Sequence, residues 1–218
     1  MFRLLDFVRD SGVEALDGVP LPKKRSEWPA VIDALFNRKR FKLDYECPRM
    51  AYRRVGRSTD ERTIIAAVLP PDIFFTDTLT YRVPLRYDLD SGGKLAQVES
   101  PECDAHVHAA LMNSLVLNYY IRNKISATVN MFYAYELPIP KLTAKQRERL
   151  AEGAAKLSKK PGDTAGRAKL EVFIARDLYG LDAADWEHLT GTFTFGGESE
   201  SKRELDAIIR LSREGWAS

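Results

Sequence analysis

Apolar residues recur along this chain in several rhythms, and each change of rhythm marks an element. Phe2, Leu4, Leu5, Phe7 and Val8 cluster and then stop near Ser11-Gly12 and Pro20-Leu21-Pro22, which predicts a helical start with breaks. Ser26 ahead of Glu27-Trp28-Pro29 is a helix-start signal, and Val31, Ile32, Leu35 and Phe36 follow at helical spacing. Residues 50–57 and 63–69 are rich in β-formers between turn residues and predict two strands, with Arg54 and Arg57 expected on one strand face by alternation. Pro70-Pro71-Asp72 ends the second strand, because proline cannot donate into a ladder. Ile73-Phe74-Phe75 and residues 79–85 predict further short strands, and Asp90-Ser91-Gly92-Gly93 predicts a turn. The period then lengthens: Val107, Leu111, Ser114, Leu115, Asn118 and Ile121 recur at steps of three and four, which predicts one helix over 104–124.

Beyond Pro140 the chain is helical and highly charged. Thr143 with Gln146 fits a capping box, in which hydroxyl and amide satisfy backbone groups at a helix start, so a helix follows over 144–157. Lys159-Lys160-Pro161-Gly162-Asp163 reads as a linker. A further helix carries Leu170, Val172, Phe173, Ile174, Leu178 and Tyr179, with Gly180 as its C-terminal cap. Asp182 opens a short helix with Trp186 and Leu189, and Gly196-Gly197 precedes a last helix over 199–214. The expected fold is α+β: a small twisted β-sheet over 48–88 packed on helices, with a helical C-terminal extension. The expected division is an N-terminal helical segment over 1–47, an α+β domain over 48–142 and the extension over 143–218.

Charge and composition narrow the function more by distribution than by total. A net charge of +2 over 218 residues argues against a dedicated nonspecific nucleic-acid binder. Basic residues nevertheless concentrate before residue 63, in Lys23-Lys24-Arg25, Arg38-Lys39-Arg40, Lys42, Arg49, Arg53, Arg54, Arg57 and Arg62, which allows a one-sided basic face or an ordinary solvated surface. No apolar run reaches the roughly 20 residues that span a bilayer, and Met1-Phe2-Arg3-Leu4-Leu5-Asp6 meets charge too early for a signal peptide. The expected location is the cytoplasm, away from any membrane, with Cys47 and Cys103 as free thiols.

Several chemistries lack their residues. His106 and His108 point about 200° apart on a helix, so with Cys103 they do not face one metal. Asp60-Glu61 beside Arg62 imitates part of a nuclease site, but no spaced Glu-x-Lys follows. No Walker loop, dinucleotide fingerprint or nucleophile elbow is present. No catalytic residue, cofactor or metal is expected.

Two blocks carry a positive signal. The first is Ser58-Thr59-Asp60-Glu61-Arg62-Thr63-Ile64-Ile65-Ala66-Ala67-Val68-Leu69-Pro70-Pro71. The second runs from Leu111-Met112-Asn113-Ser114 through Tyr119-Tyr120-Ile121-Arg122 to Ser126, Asn130-Met131-Phe132 and Leu137-Pro138-Ile139-Pro140. In this order they resemble the TaqI-like target-recognition region at the C-terminal end of large adenine-specific DNA methyltransferases. Those are fused restriction-modification enzymes and BREX-type phage-defence methylases. The resemblance covers residues 50–142 and, more weakly, the tail through Phe193.

It implies a specificity module that reads double-stranded DNA and works with a methyltransferase catalytic domain in the same or a separate chain. A protein interaction module contacting a methylase or defence subunit is the alternative. Leu69-Pro70-Pro71-Asp72 is no substitute for the Asn-Pro-Pro-Tyr motif of such a catalytic domain, since Leu69 cannot hold a flipped base amine. Arginine reads guanine as a bidentate donor, and small polar groups contact either bases or phosphate. Arg53, Arg54, Arg57, Ser58 and Thr59 are therefore the expected DNA-contacting residues. Asp60, Glu61 and Arg62 are expected to fix the loop by ion pairs, with Arg62 on Glu61 or a helix end. Asp60 stands where the family more often has Asn, so it accepts from a cytosine amine or pairs with an arginine. Residues 130–132 are expected to end a loop and start a strand, and 137–140 to form a proline-stiffened edge strand.

Overall fold

The computed structural model describes residues 7, 10–12, 14–16, 19–37, 41–89, 94–195 and 198–216. Its strands are β1 (Ala15–Leu16), β2 (Val19–Pro20), β3 (Arg49–Arg53), β4 (Ala66–Leu69), β5 (Leu79–Tyr81), β6 (Leu85–Leu89) and β7 (Leu95–Glu99). Its helices are α1 (Trp28–Asn37), α2 (Glu102–Asn113), α3 (Leu115–Arg122), α4 (Met131–Tyr135), α5 (Ala144–Lys159), α6 (Thr164–Val172), α7 (Ala183–Gly191) and α8 (Glu200–Trp216). A π-helical stretch, Phe173–Leu178, continues α6. The architecture is α+β, with small sheets packed against helices. The turn expected at 90–93, the Arg38-Lys39-Arg40 run and Gly196-Gly197 lie outside the described residues.

Contacts group the chain into two compact units. The first comprises Met1–Arg49, Pro70–Ile73 and Val83–Pro101. It holds α1 and two antiparallel hairpins, β1 with β2 and β6 with β7, around Leu16, Phe41 and Leu95. The side-chain amide of Gln97 stands in for a strand neighbour at Lys42: it accepts from the Lys42 N–H at 2.7 Å and donates to the Lys42 carbonyl at 2.8 Å. Buried Arg49 donates to the carbonyls of Tyr45, Cys47 and Ile73. Ile73-Phe74-Phe75 is thus not a strand. Asp72 turns the chain at φ 62°, and the Ile73 carbonyl is taken by a guanidinium instead of a ladder.

The second unit comprises Met50–Leu69, Phe74–Arg82 and Glu102–Ser218. Its sheet has the order β4-β3-β5, with β3 and β5 antiparallel. Met50, Tyr52, Ile64 and Ala66 join Leu111, Leu115, Leu117, Leu150, Ile174, Trp186, Leu205 and Ile209 in one buried cluster. α2 packs along α5, and α6 packs along α8. The helices after residue 143 therefore share the core of the sheet, so the contacts do not divide the chain at 47/48 and 142/143. Apolar residues of these helices are buried together in that common core.

Three further local expectations differ from the structure. The helix predicted over 104–124 is broken at Ser114, whose hydroxyl accepts from the Leu117 N–H at 3.2 Å and donates to the Leu111 carbonyl at 2.6 Å. The freed N–H of Leu115 finds the buried Glu171 carboxylate at 2.8 Å, so that donor keeps a partner across the break. Residues 130–132 open the short helix α4 instead of a strand. Residues 137–140 form no edge strand: the Ile139 N–H turns back to the Leu137 carbonyl at 2.8 Å, and the Pro138 carbonyl accepts from the Tyr179 hydroxyl at 2.9 Å. The capping box at Thr143, the Asp182 cap and the positive φ of Gly180 stand as the sequence predicts. Among the described residues no helix is long and apolar enough to cross a membrane.

Candidate nucleic-acid interface

β3 ends at Arg53 and β4 begins at Ala66, so residues 54–65 connect two neighbouring strands, and the first sequence block supplies the later part of that connection and β4 itself. Arg54 and Arg57 both lie in this connection, not on one strand face; residues three apart would in any case alternate to opposite faces. The loop has a narrow neck at Gly56. A Cβ there would fall 2.1 Å from the Thr63 carbonyl oxygen, so only glycine permits the approach.

Above the neck, Asp60 ties the loop to itself. Its carboxylate accepts from the Arg57 N–H at 3.1 Å and from the Arg53 guanidinium at 3.0 Å, while its own N–H donates to the Arg57 carbonyl at 3.1 Å. The Thr63 hydroxyl adds a bond to the same carbonyl at 3.1 Å, and Arg53 reaches the Arg62 carbonyl at 3.1 Å. Of the two alternatives for Asp60, the structure has the arginine pair. Arg62 donates to the Asn113 carbonyl at 3.2 Å, at the C-terminal end of α2, where Arg167 donates to the same oxygen at 3.3 Å. Burial first, and the neighbouring Arg167 second, lower the Arg62 pKa to about 10. Glu61 does not bond to Arg62. Its carboxylate accepts from the hydroxyls of Ser199 and Ser201, and those bonds hold its pKa below the usual carboxylate value.

The strand after the loop is fixed from outside the sheet. The Arg53 N–H donates to the Ile65 carbonyl, so residues 64, 66 and 68 turn their backbone groups to the open edge of β4. Asn118 accepts from the Ile64 N–H at 3.0 Å, and the Asn113 amide exchanges two bonds with Ala66 at 2.9 and 2.7 Å. Two asparagines on α2 and α3 thereby do the work of a missing strand. On the other side, residues 127–129 run beside 54–56, with Gly56 N–H on Ala127 at 3.3 Å and Val129 N–H on Arg54 at 2.8 Å.

The five expected contact residues thus divide. Arg53 is bound within the loop, and Arg54 leans on exposed Asp77 at 3.6 Å. Arg57 and Thr59 are exposed and Ser58 is half-buried, at the loop tip. Asn113, Asn118 and Arg122 stand in the sequence pattern with no role assigned to their side chains, and Glu171 was not singled out. For Asn118 the signal was a polar residue at an apolar helical spacing. Met131, Phe132 and Tyr135 of α4 stay exposed beside this region, as does Val55. Among the described residues no group of three or more His, Cys, Asp or Glu is placed to hold a metal ion. Compared with protein-family models, curated proteins and solved structures, the chain matches none of them.

Proposed function

We propose that this chain is a specificity module that reads double-stranded DNA in the cytoplasm for an adenine methyltransferase or restriction-modification system. Arg57, Ser58 and Thr59 make the contacts, and Arg54 assists once it leaves Asp77. Methyl transfer belongs to a catalytic domain in the same or a separate chain. The carrying observation is the mismatch between the loop's anchoring and its tip: Arg53, Asp60, Arg62 and Thr63 fix the loop, while Arg57 is exposed. Preorganised polar groups on a rigid loop suit recognition, because little ordering entropy is lost on binding. The resemblance of the two sequence blocks to target-recognition regions points the same way.

The test is fluorescence anisotropy of the chain with labelled duplex at low and physiological salt. Weak binding that falls steeply with salt is expected, because arginine contacts to phosphate release counterions. Absence of binding at low salt by folded protein would overturn DNA reading. It would favour a second reading, an interaction module for a methylase or defence subunit, which the exposed Met131, Phe132 and Tyr135 support. In either case, calorimetric titration with S-adenosylmethionine is expected to show no saturable heat.

A further inference from the structure

Arg122 is the last residue of α3, yet its guanidinium serves the loop that precedes β4. It donates to the Asp60 carbonyl at 2.9 Å and reaches the Glu61 carbonyl at 3.5 Å. Its other side lies over the rings of Phe193 and Phe195, 4.1 and 5.0 Å from their centres. Glu61 continues the same connection, since Ser199 and Ser201 both donate to its carboxylate. The Ser199 oxygen in turn accepts from the Lys202 N–H at 3.0 Å, at the start of α8. The loop's far end is therefore held between α3 and the segment that leads into α8.

Stability alone does not account for an arginine here. The Arg122 Nε is buried without a partner, and desolvating a guanidinium opposes folding. An unbranched apolar side chain such as methionine would cover Phe193 and Phe195 without that cost. What arginine adds is direction: one terminal nitrogen of a planar guanidinium is shared by the carbonyls of residues 60 and 61 and sets where they lie. We infer that Arg122 and Glu61 are positioning residues of the reading loop, and that Phe193, Phe195, Ser199 and Ser201, which hold them, belong to the recognition machinery. This inference rests on the DNA-reading proposal. It assigns Arg122 no contact with DNA.

The experiment compares wild type, Arg122→Met and Glu61→Gln by amide hydrogen exchange and by selection from a pool of duplexes with a randomised central segment. Arg122→Met is expected to stay folded with a single cooperative melt, while amides over 58–62 exchange about tenfold faster or more. Wild type is expected to enrich a defined sequence. Arg122→Met should bind the unselected pool with the same salt slope and lose that enrichment by about tenfold or more. An unchanged slope separates positioning from phosphate contact, because each lost phosphate contact would lower it by about 0.9. Wild-type exchange over 58–62 in both variants would overturn the positioning role. Failure of wild type to enrich any sequence would overturn DNA reading instead, and the exchange data would still decide the positioning. Should Arg122→Met not fold, Glu61→Gln and Arg122→Lys carry the same measurement.

Discussion

Arg62 donates to the Asn113 carbonyl from a half-buried position, with Arg167 on the same oxygen and Glu171 within electrostatic reach. Removing it takes a charged donor from the end of α2, so Arg62→Ala is expected to lower stability by about 1.5–3 kcal/mol. Arg57 makes no such bond with its side chain, and Arg57→Ala should stay within about 0.5 kcal/mol of wild type while weakening DNA binding at low salt. Urea melts paired with anisotropy curves check both; early unfolding of Arg57→Ala with a wild-type melt for Arg62→Ala would reverse the assignment. Glu61 supplies a pH test. Its folded pKa lies below the ordinary 4.5, first because Ser199 and then Ser201 donate to the carboxylate. A depressed carboxylate stabilises the fold above the unfolded pKa, and the contribution is lost as pH falls through the folded value. The stability gap between wild type and Glu61→Gln should therefore be widest above about pH 4.5 and close at more acid pH, as thermal melts across that range would show. At this scale the sequence was informative about charge and silent about direction. That Arg62 pairs with a helix end could be expected; that Glu61 would leave Arg62 for two serines far along the chain could not.

The helices and strands were legible where a local signal is complete. The Thr143 and Asp182 caps each close on a residue three positions away, so the whole interaction lies within the sequence window. The breaks were not legible where the decisive partner comes from elsewhere. Ser114 interrupts α2 and α3 because Glu171, on α6, takes the freed Leu115 N–H. Asn118 shows the same principle. Its carbonyl replaces a strand neighbour for Ile64, and its amide group donates to the carbonyls of Met112 and Ser114 at 3.3 and 3.0 Å. Asn118→Ala leaves a buried N–H without a partner and is expected to cost about 1–3 kcal/mol. Faster exchange of the Ile64 amide should accompany the loss. A variant with wild-type stability and wild-type protection at Ile64 would show that the edge of β4 closes some other way.

Across the molecule, the α+β class was legible from the succession of periods two and 3.6, whereas the grouping into units was not. Periodicity identifies which face of a helix is apolar, but α2, α5, α6 and α8 could cover those faces in many pairings. The candidate site was legible as a block of residues, 58–71, and not as an arrangement. The arrangement depends on Arg122, Asn113 and Asn118, all supplied by the second block. The pairing of the two blocks in sequence thus has a physical basis: the helices of one hold the loop and strand of the other.

The far end of that support offers a handle of a different kind. Trp186 of α7 and Trp216 of α8 stack with ring centres 5.5 Å apart and planes 16° from parallel, and the Trp186 indole donates to Ser212 on the same helix. Two indoles so placed couple electronically, and the coupling vanishes once the rings separate. The near-ultraviolet spectrum of the chain therefore carries an optical signal of α8 docking. Because α8 begins at the serines that hold Glu61, the same signal follows the base of the loop without any label attached to it.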